Sequence, residues 1–170
     1  MDFSAAFVAL RDRMEQGQDT AFASRRNAEV AGRTAALVSE MNMAEERKIL
    51  GMMPTGATSH AHEYRLLFAA PGLDAARLED WWRYALDAEA LLVQPDERHT
   101  FSLVSLVLAV ENAPRETVKR LRRLSAERKY GRNGSCGWSS IRVALLDLGS
   151  GQVHTNRAGD MLRDVLRPFL

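Results

Sequence analysis

The single cysteine and the histidines are the side chains of this 170-residue sequence whose types suggest chemistry most directly. They are Cys136, His60, His62, His99 and His154. Imidazole nitrogens bind transition metals, and a thiol that contacts an imidazole within about 3 Å can act as a nucleophile. Function therefore depends on which of these side chains the fold brings together.

The spacing of the histidines makes them candidate ligands for a metal ion at one edge of a sheet, although it falls short of a zinc motif. His60 and His62 are two residues apart, so on a strand they face the same way. His99 directly precedes a second predicted strand, and His154 follows a hairpin turn, so both can lie at the same end of the sheet. An isolated His-x-His lacks the spacing of zinc motifs. We therefore expect no metal or other cofactor, and keep these four histidines as the candidate ligands.

The cysteine lies in a glycine-rich stretch, GRNGSCGWSS, at 131–140. Gly134 to Trp138, GSCGW, resembles the cysteine-protease signature C-G-S-C-W, but its residue order departs from that signature. The chain also enters a strand after it, whereas a helix N-terminus would be needed to lower the thiol pKa. A hairpin at 149–151 would place His154 roughly 30 Å from Cys136. We expect an inert loop thiol, with His60, His62 and His99 as its remaining possible partners.

Charge is distributed unevenly although the net charge is only +1. Residues 62–98 carry four basic and eight acidic side chains, and residues 115–133 carry eight basic and two acidic ones. The second segment is predicted to be a basic amphipathic helix over 115–130 whose apolar side packs on the sheet. The cationic ridge along 115–132 comprises Arg115, Lys119, Arg122, Arg123 and Lys129. Such a ridge can bind phosphates or an acidic protein.

These candidates must be positioned by the elements of the second part of the chain. Apolar patterning predicts strands at 63–70, 100–110 and 140–148, and a hairpin into 152–156. Helices are predicted at 74–93, 115–130 and 157–167. The order from residue 60 is β-α-β-α-β-β-α.

The first part of the chain is predicted to be helical. A short amphipathic helix begins near Phe3 and ends near Gly17, and the Ala-rich segment 19–41 contains no proline and predicts a second helix. Asn42 to Glu45 resembles a capping box for a third helix, which Gly51 and Pro54 would end. The turn residues at 54–59, PTGATS, predict a linker.

The fold class predicted from these elements is α/β or α+β. We expect a mixed four-stranded sheet with helices packed on it, over residues 60–170, and an N-terminal helical extension over 1–53. The element order is compatible with a thioredoxin-like or a ferredoxin-like topology. No redox cysteine pair follows the first strand, where the sequence reads Ala70-Pro71-Gly72-Leu73, so the order implies no redox function.

Composition limits the class of protein. One cysteine excludes an internal disulfide, no apolar run approaches the ~18 residues that span a bilayer, and no signal peptide is evident. We expect a soluble cytoplasmic protein that does not contact membranes. The leading functional hypothesis is a non-catalytic protein–protein interaction or scaffold domain that forms a homodimer through its N-terminal helices. The alternatives are a nucleic-acid-binding accessory protein and a metal- or thiol-dependent enzyme.

Overall fold

The computed structural model describes residues 2–49 and 53–170, and in these ranges seven strands form one mixed sheet with four α-helices. The helices are α1 (Phe3–Gly17), α2 (Ala75–Leu92), α3 (Arg115–Leu121) and α4 (Asp160–Leu166). The strands are β1 (Ala23–Val30), β2 (Arg33–Ile49), β3 (Met53–Ala69), β4 (His99–Val110), β5 (Glu127–Lys129), β6 (Trp138–Asp147) and β7 (Gln152–Thr155). None of the helices in these ranges is long and apolar enough to cross a membrane.

The strand order is β1-β2-β3-β4-β6, and the short strands β5 and β7 both pair with β6. β1, β2 and β3 form an antiparallel meander, whereas β3, β4 and β6 are parallel neighbours. The strands β5 and β7 run antiparallel to β6, one at each end of it. The first residues of β4 lie beside the middle of the long strand β3, and β6 begins next to them on the other side of β4.

Alternating side chains of the parallel strands build a core on each face of the sheet. On one face Leu66, Leu106 and Leu145 pack with residues of α2 and α3, such as Leu78 and Leu121. On the other face Leu67, Val107 and Leu146 pack with residues of α1 and α4, including Leu10 and Leu162. The molecule is therefore a layered α/β structure with helices on both faces of the sheet.

The predicted helix over 19–41 is wrong, because this segment forms β1 and β2. Ala28 and Ala35, which share a face on a helical wheel, lie opposite each other across a hairpin. The hairpin turns at Ala31 and Gly32, both with positive φ (48° and 79°), the conformation that tight two-residue turns require. Pairing with β3 decides the strand conformation of β2 against the helix propensity of its Ala, Glu and Met residues.

Two further N-terminal predictions are corrected. The short helix predicted to open at 42–45 is part of β2, and its predicted end at Gly51 lies outside the described residues. The predicted linker at 54–59 is part of β3. The sheet accordingly has seven strands rather than four. Whether residues 60–170 form a domain of their own remains a prediction.

The mixed α/β class and the element order after residue 60 are confirmed, with the short strand β5 added. The basic helix is shorter than predicted: α3 ends at Leu121, and the chain then turns and pairs as β5 with the start of β6. Neither a thioredoxin-like nor a ferredoxin-like topology is confirmed by this strand order.

Candidate functional site

Three of the four histidines meet where β4 begins beside β3. His60 pairs with His99 in the β3–β4 register, and His62 follows on β3. The ring centroid of His60 lies 5.1 Å from that of His62 and 6.0 Å from that of His99. The ring centroids of His62 and His99 are 6.4 Å apart. We call these three residues the histidine edge. His154 is not part of it, because it pairs with Leu145 towards the other end of β6.

His60 and His62 are held from both sides by polar side chains. His60 Nε2 lies 2.9 Å from the Asp96 carboxylate, and His62 Nδ1 lies 2.5 Å from the side-chain oxygen of Asn42. The two rings approach each other through His60 Nδ1 and His62 Nε2, which are 3.0 Å apart. Burial, followed by the neighbouring His60 and His99, lowers the pKa of His62.

His99 is buried and both of its nitrogens are occupied. Its Nδ1 lies 2.7 Å from the carbonyl oxygen of Cys136, and its Nε2 lies 2.8 Å from Ser102 Oγ. Since a carbonyl only accepts, Nδ1 carries a proton, and in the neutral ring Nε2 accepts a hydrogen bond from the Ser102 hydroxyl. His99 therefore fastens the 131–137 loop to β4. Within residues 2–49 and 53–170, no group of three or more His, Cys, Asp or Glu side chains is arranged to share one metal ion.

A buried carboxylate lies close to the histidine edge. Glu89 of α2 is 1% exposed, and its Oε1 accepts hydrogen bonds from Tyr130 (2.7 Å) and Ser139 (2.5 Å). Its Oε2 has no hydrogen-bond partner and lies 3.5 Å from Arg128 Nε. Burial raises the pKa of Tyr130, and the contact with Glu89 adds to this effect. Tyr130 in turn packs edge-on against His99.

Cys136 contributes its main chain rather than a paired thiol to this region. Its carbonyl binds His99, and its partly buried Sγ lies 4.0 Å from Ser135 Oγ. His154 lies towards the far end of β6, whereas Cys136 precedes the start of that strand. The geometry therefore brings Cys136 to His99, but through an atom that takes no part in thiol chemistry.

The predicted cationic ridge is divided between several elements. Arg115 begins α3, whereas Lys129 lies on β5. The other members surround an open cavity of about 530 Å³ between α3 and the turn after β7. We call it the basic cavity, and it is lined by Lys119, Arg122, Arg123, Leu124, Ser125 and Arg157.

The four cations of the basic cavity differ in how firmly they are held. Arg122 donates to the main-chain oxygen of Thr155 (3.1 Å) and pairs with Asp160, which lowers the pKa of that carboxyl. Lys119 pairs with Glu116 on the exposed surface of α3. Arg123 and Arg157 form no ion pair with any side chain in the described part of the chain.

Some residues of these sites were absent from the sequence candidates. Glu89 follows Ala85 by four positions and precedes Leu92 by three, so the helical spacing alone could have predicted that it lies on the buried stripe of α2. Arg157 is distant in sequence from α3, and only the β6–β7 hairpin returns it to the basic cavity. Asn42 lies opposite His62 in the β2–β3 register. This contact could not be predicted as long as the segment around Asn42 was predicted to be helical.

Comparison with known proteins places this chain in a family without a known activity. Residues 9–168 match the model of a family described as a domain of unknown function (DUF8052). The chain belongs to the DUF8052 family. No curated protein and no solved structure matched it. Any functional conclusion for this DUF8052 protein must therefore come from its own residues.

Proposed function

We propose that this DUF8052 protein is a nucleic-acid-binding accessory protein that contacts phosphate groups through the basic cavity. The observation that carries the proposal is the lining of this cavity. It contains four cationic side chains and, among the described residues, no acidic one. A concave surface of one charge sign concentrates counterions, and phosphates are the counterions that lysine and arginine bind in nucleic acids.

The two unpaired arginines support this proposal further. Arg123 and Arg157 reach the cavity from two different parts of the chain, because Arg123 follows α3 and Arg157 follows β7. Each can form a bidentate contact with a phosphate without first breaking an internal ion pair. Arg122 has the opposite character, because Asp160 and the Thr155 carbonyl hold it in place. We therefore expect Arg122 to hold the wall of the cavity in place and to add to its positive electrostatic potential, rather than to contact a phosphate directly.

The homodimeric interaction domain remains a hypothesis, although the Ala-rich segment 19–41 that contributed to it forms a hairpin and not a helix. The exposed edge of the sheet at β1 also disfavours pairing with a second copy. Arg25, Arg26 and Glu29 are exposed there, and Asn27 interrupts the ladder with a φ of 51°. Charges and irregularities of this kind protect edge strands from association. Self-association remains a prediction.

Chromatography on heparin, with variants of the free arginines, tests the proposal. Arg123→Glu and Arg157→Glu are each expected to elute at clearly lower salt than the wild type. Arg25→Glu is the matched control: it makes the same charge change at an exposed position of β1, and its elution is expected to shift less. If all three variants shift equally, retention reports net charge and the basic cavity is not the contact surface.

A competition experiment separates nucleic acid from an acidic protein partner. A labelled DNA duplex bound at low salt is expected to be displaced by unlabelled duplex or single-stranded RNA at concentrations where poly-glutamate has little effect. Displacement by poly-glutamate at the same charge concentration would favour an acidic protein and contradict the proposal.

A further inference from the structure

We propose that a row of side chains across one face of the sheet binds the unpaired bases of a single-stranded nucleic acid. We call it the stacking row, and its members are Lys129, Trp138, Phe101, Ala61 and Met43. This inference rests on the proposed nucleic-acid contact of the basic cavity and names the form of nucleic acid that binds there. The strand register, the exposed aromatic rings and the free cations beside them carry it.

The strand register places the five members side by side. Lys129 pairs with Trp138, and Trp138 pairs with Phe101. On the other side of Phe101 follow Ala61 and then Met43. Paired residues of neighbouring strands project from the same face of a sheet, so the row crosses β5, β6, β4, β3 and β2 on one face. Neighbouring strands are about 4.8 Å apart, so the row is roughly 19 Å long.

The stacking row lies on the face that α1 and α4 cover further along the strands. Leu67 and Val107, six residues after members of the row, belong to the core under these two helices. Among the described residues, no core cluster includes Phe101 or Trp138. Trp138 is 37% exposed, and Phe101 stacks on it with ring centroids 5.5 Å apart and an interplanar angle of 24°. The two rings therefore form an ordered aromatic surface that is partly open to a ligand.

An aromatic surface of this kind distinguishes a single strand from a duplex. In a duplex the neighbouring base pairs cover the flat face of each base, so aromatic side chains stack on bases that are unpaired. Every base has such a face, so the contact requires no particular sequence. Trp138 and Phe101 are therefore expected to favour a single strand over a duplex with the same number of phosphates.

A cavity of about 180 Å³ continues the row beyond the aromatic pair. It lies over Ala61, between Phe101 and Met43. Its other lining residues carry polar groups that can hydrogen-bond the edge of a base, and they are Glu45, Ser59, His60 and Thr100. Because Glu45 repels phosphates, this end of the row suits a base rather than the backbone.

Cations flank the aromatic end of the row and lead to the basic cavity. β5 and the turn after it carry three basic side chains, Arg128, Lys129 and Arg132, and one acidic side chain, Glu127. Arg128 is paired with a buried carboxylate, whereas Lys129 and Arg132 form no ion pair within residues 2–49 and 53–170. Ser125 lines the basic cavity four positions before Lys129, so at most about 14 Å of chain separates the two. A single strand of roughly 4–16 nucleotides, the usual size of such sites, can therefore contact both surfaces.

Fluorescence anisotropy of two labelled strands at low salt tests the stacking row. One strand is a short oligothymidylate, and the other is an abasic strand of the same length, which keeps the phosphates but lacks the bases. We expect the wild type to bind oligothymidylate more tightly by about 5- to 150-fold for one stacked base. Trp138→Ala should bind both strands alike, whereas Trp138→Phe should keep most of the difference. Met161→Ala, which truncates an exposed apolar side chain of α4, is the matched control and should bind like the wild type.

Tryptophan emission of the wild type gives a readout that does not depend on variants folding. Stacking of a base on Trp138 should quench the emission when oligothymidylate is added, and the abasic strand should have little effect. Equal quenching by the two strands, or no quenching by either at saturation, would overturn the inference.

The outcomes distinguish this inference from the proposed function. Equal affinity of the wild type for the two strands, or no effect of Trp138→Ala, would overturn the stacking row and leave the phosphate contact of the basic cavity in place. If Arg123→Glu/Arg157→Glu binds oligothymidylate like the wild type while Trp138→Ala does not, the proposed function fails and the stacking row stands. No binding of either strand overturns both. A wild-type dimer that Trp138→Ala abolishes, measured by light scattering, would assign this surface to a second copy and overturn the inference.

Discussion

The substitution Glu63→Gln tests the ionic cluster that β3 and β6 bury against the α1 side of the sheet. Glu63 Oε1 accepts from Arg142 Nη2 at 2.6 Å and from Arg65 Nε at 3.0 Å. All three residues are buried, so two guanidinium groups share one carboxylate largely away from water. Ser105 also accepts from Arg142, and the Phe22 ring lies 4.1 Å from the Arg65 guanidinium. Glutamine keeps the shape of Glu63 but removes its charge.

The cost follows from leaving the guanidinium groups without a counterion. Removing one partner of a buried ion pair typically lowers the free energy of unfolding by about 3–5 kcal/mol. Burial already lowers the pKa of Arg142, which indicates that the protein disfavours its charge, while Glu63 opposes this effect. Because two cations depend on Glu63, we expect the loss to fall in this range. For a chain of this size it corresponds to a decrease in Tm of about 6–20 °C.

Urea denaturation followed by circular dichroism measures this loss directly. Glu29→Gln, at an exposed position of β1, is the control and should change the free energy of unfolding by less than about 0.5 kcal/mol. The double variant Glu63→Gln/Arg142→Met should be less destabilised than the sum of the two single changes, because it also removes one of the buried cations. If Glu63→Gln is no more destabilising than Glu29→Gln, the cluster does not stabilise the fold by charge pairing.

Two turns give further predictions. Asp147 accepts from the backbone N–H groups of Gly149, Ser150 and Ala113, each at 3.0 Å, and these bonds lower its pKa despite its burial. The stabilising effect of Asp147 is therefore complete above its unfolded pKa of about 3.9 and is lost as pH falls through the lower folded pKa. Asp147→Asn should lower the free energy of unfolding by about 1–3 kcal/mol near pH 7. In chemical denaturation, the difference between this variant and the wild type should shrink in acid. Gly137 has a φ of 74°, and a Cβ there would lie 2.2 Å from the Thr100 carbonyl oxygen, whereas Gly151 has a φ of 66° with open space around it. Gly137→Ala should therefore lower Tm more than Gly151→Ala; equal shifts would show that backbone strain alone sets the cost.

The parts of the fold that local patterning determines were predictable from sequence. The stripe of Leu78, Ala85 and Ala88 gives α2, and the long apolar run of β4 gives a strand buried on both faces. The first strands were not predictable in this way, because Ala28 and Ala35 fit a helix and a hairpin equally well, and only pairing with β3 distinguishes the two. The short strand β5 likewise exists through its partner β6.

The candidate sites show the same division. The spacing of His60 and His62 and the position of His99 before a strand were sufficient to predict that they share an edge, given a parallel pair of strands. The expectation for His154 required the third strand to run antiparallel to the first, and β6 is instead parallel to β4 and β3. The position of Arg157 in the basic cavity could not be predicted, because the other lining residues are more than thirty positions away in sequence.

Salt-dependent binding of a labelled DNA duplex, followed by fluorescence anisotropy, tests the proposed phosphate contact most directly. If two to four cations of the basic cavity contact phosphates, the affinity should fall about 10- to 150-fold between 50 and 200 mM salt. The double variant Arg123→Glu/Arg157→Glu should lose most of the binding at 50 mM salt while unfolding at the same temperature as the wild type. Absence of wild-type binding at 50 mM salt, or equal binding by the double variant, would contradict the account.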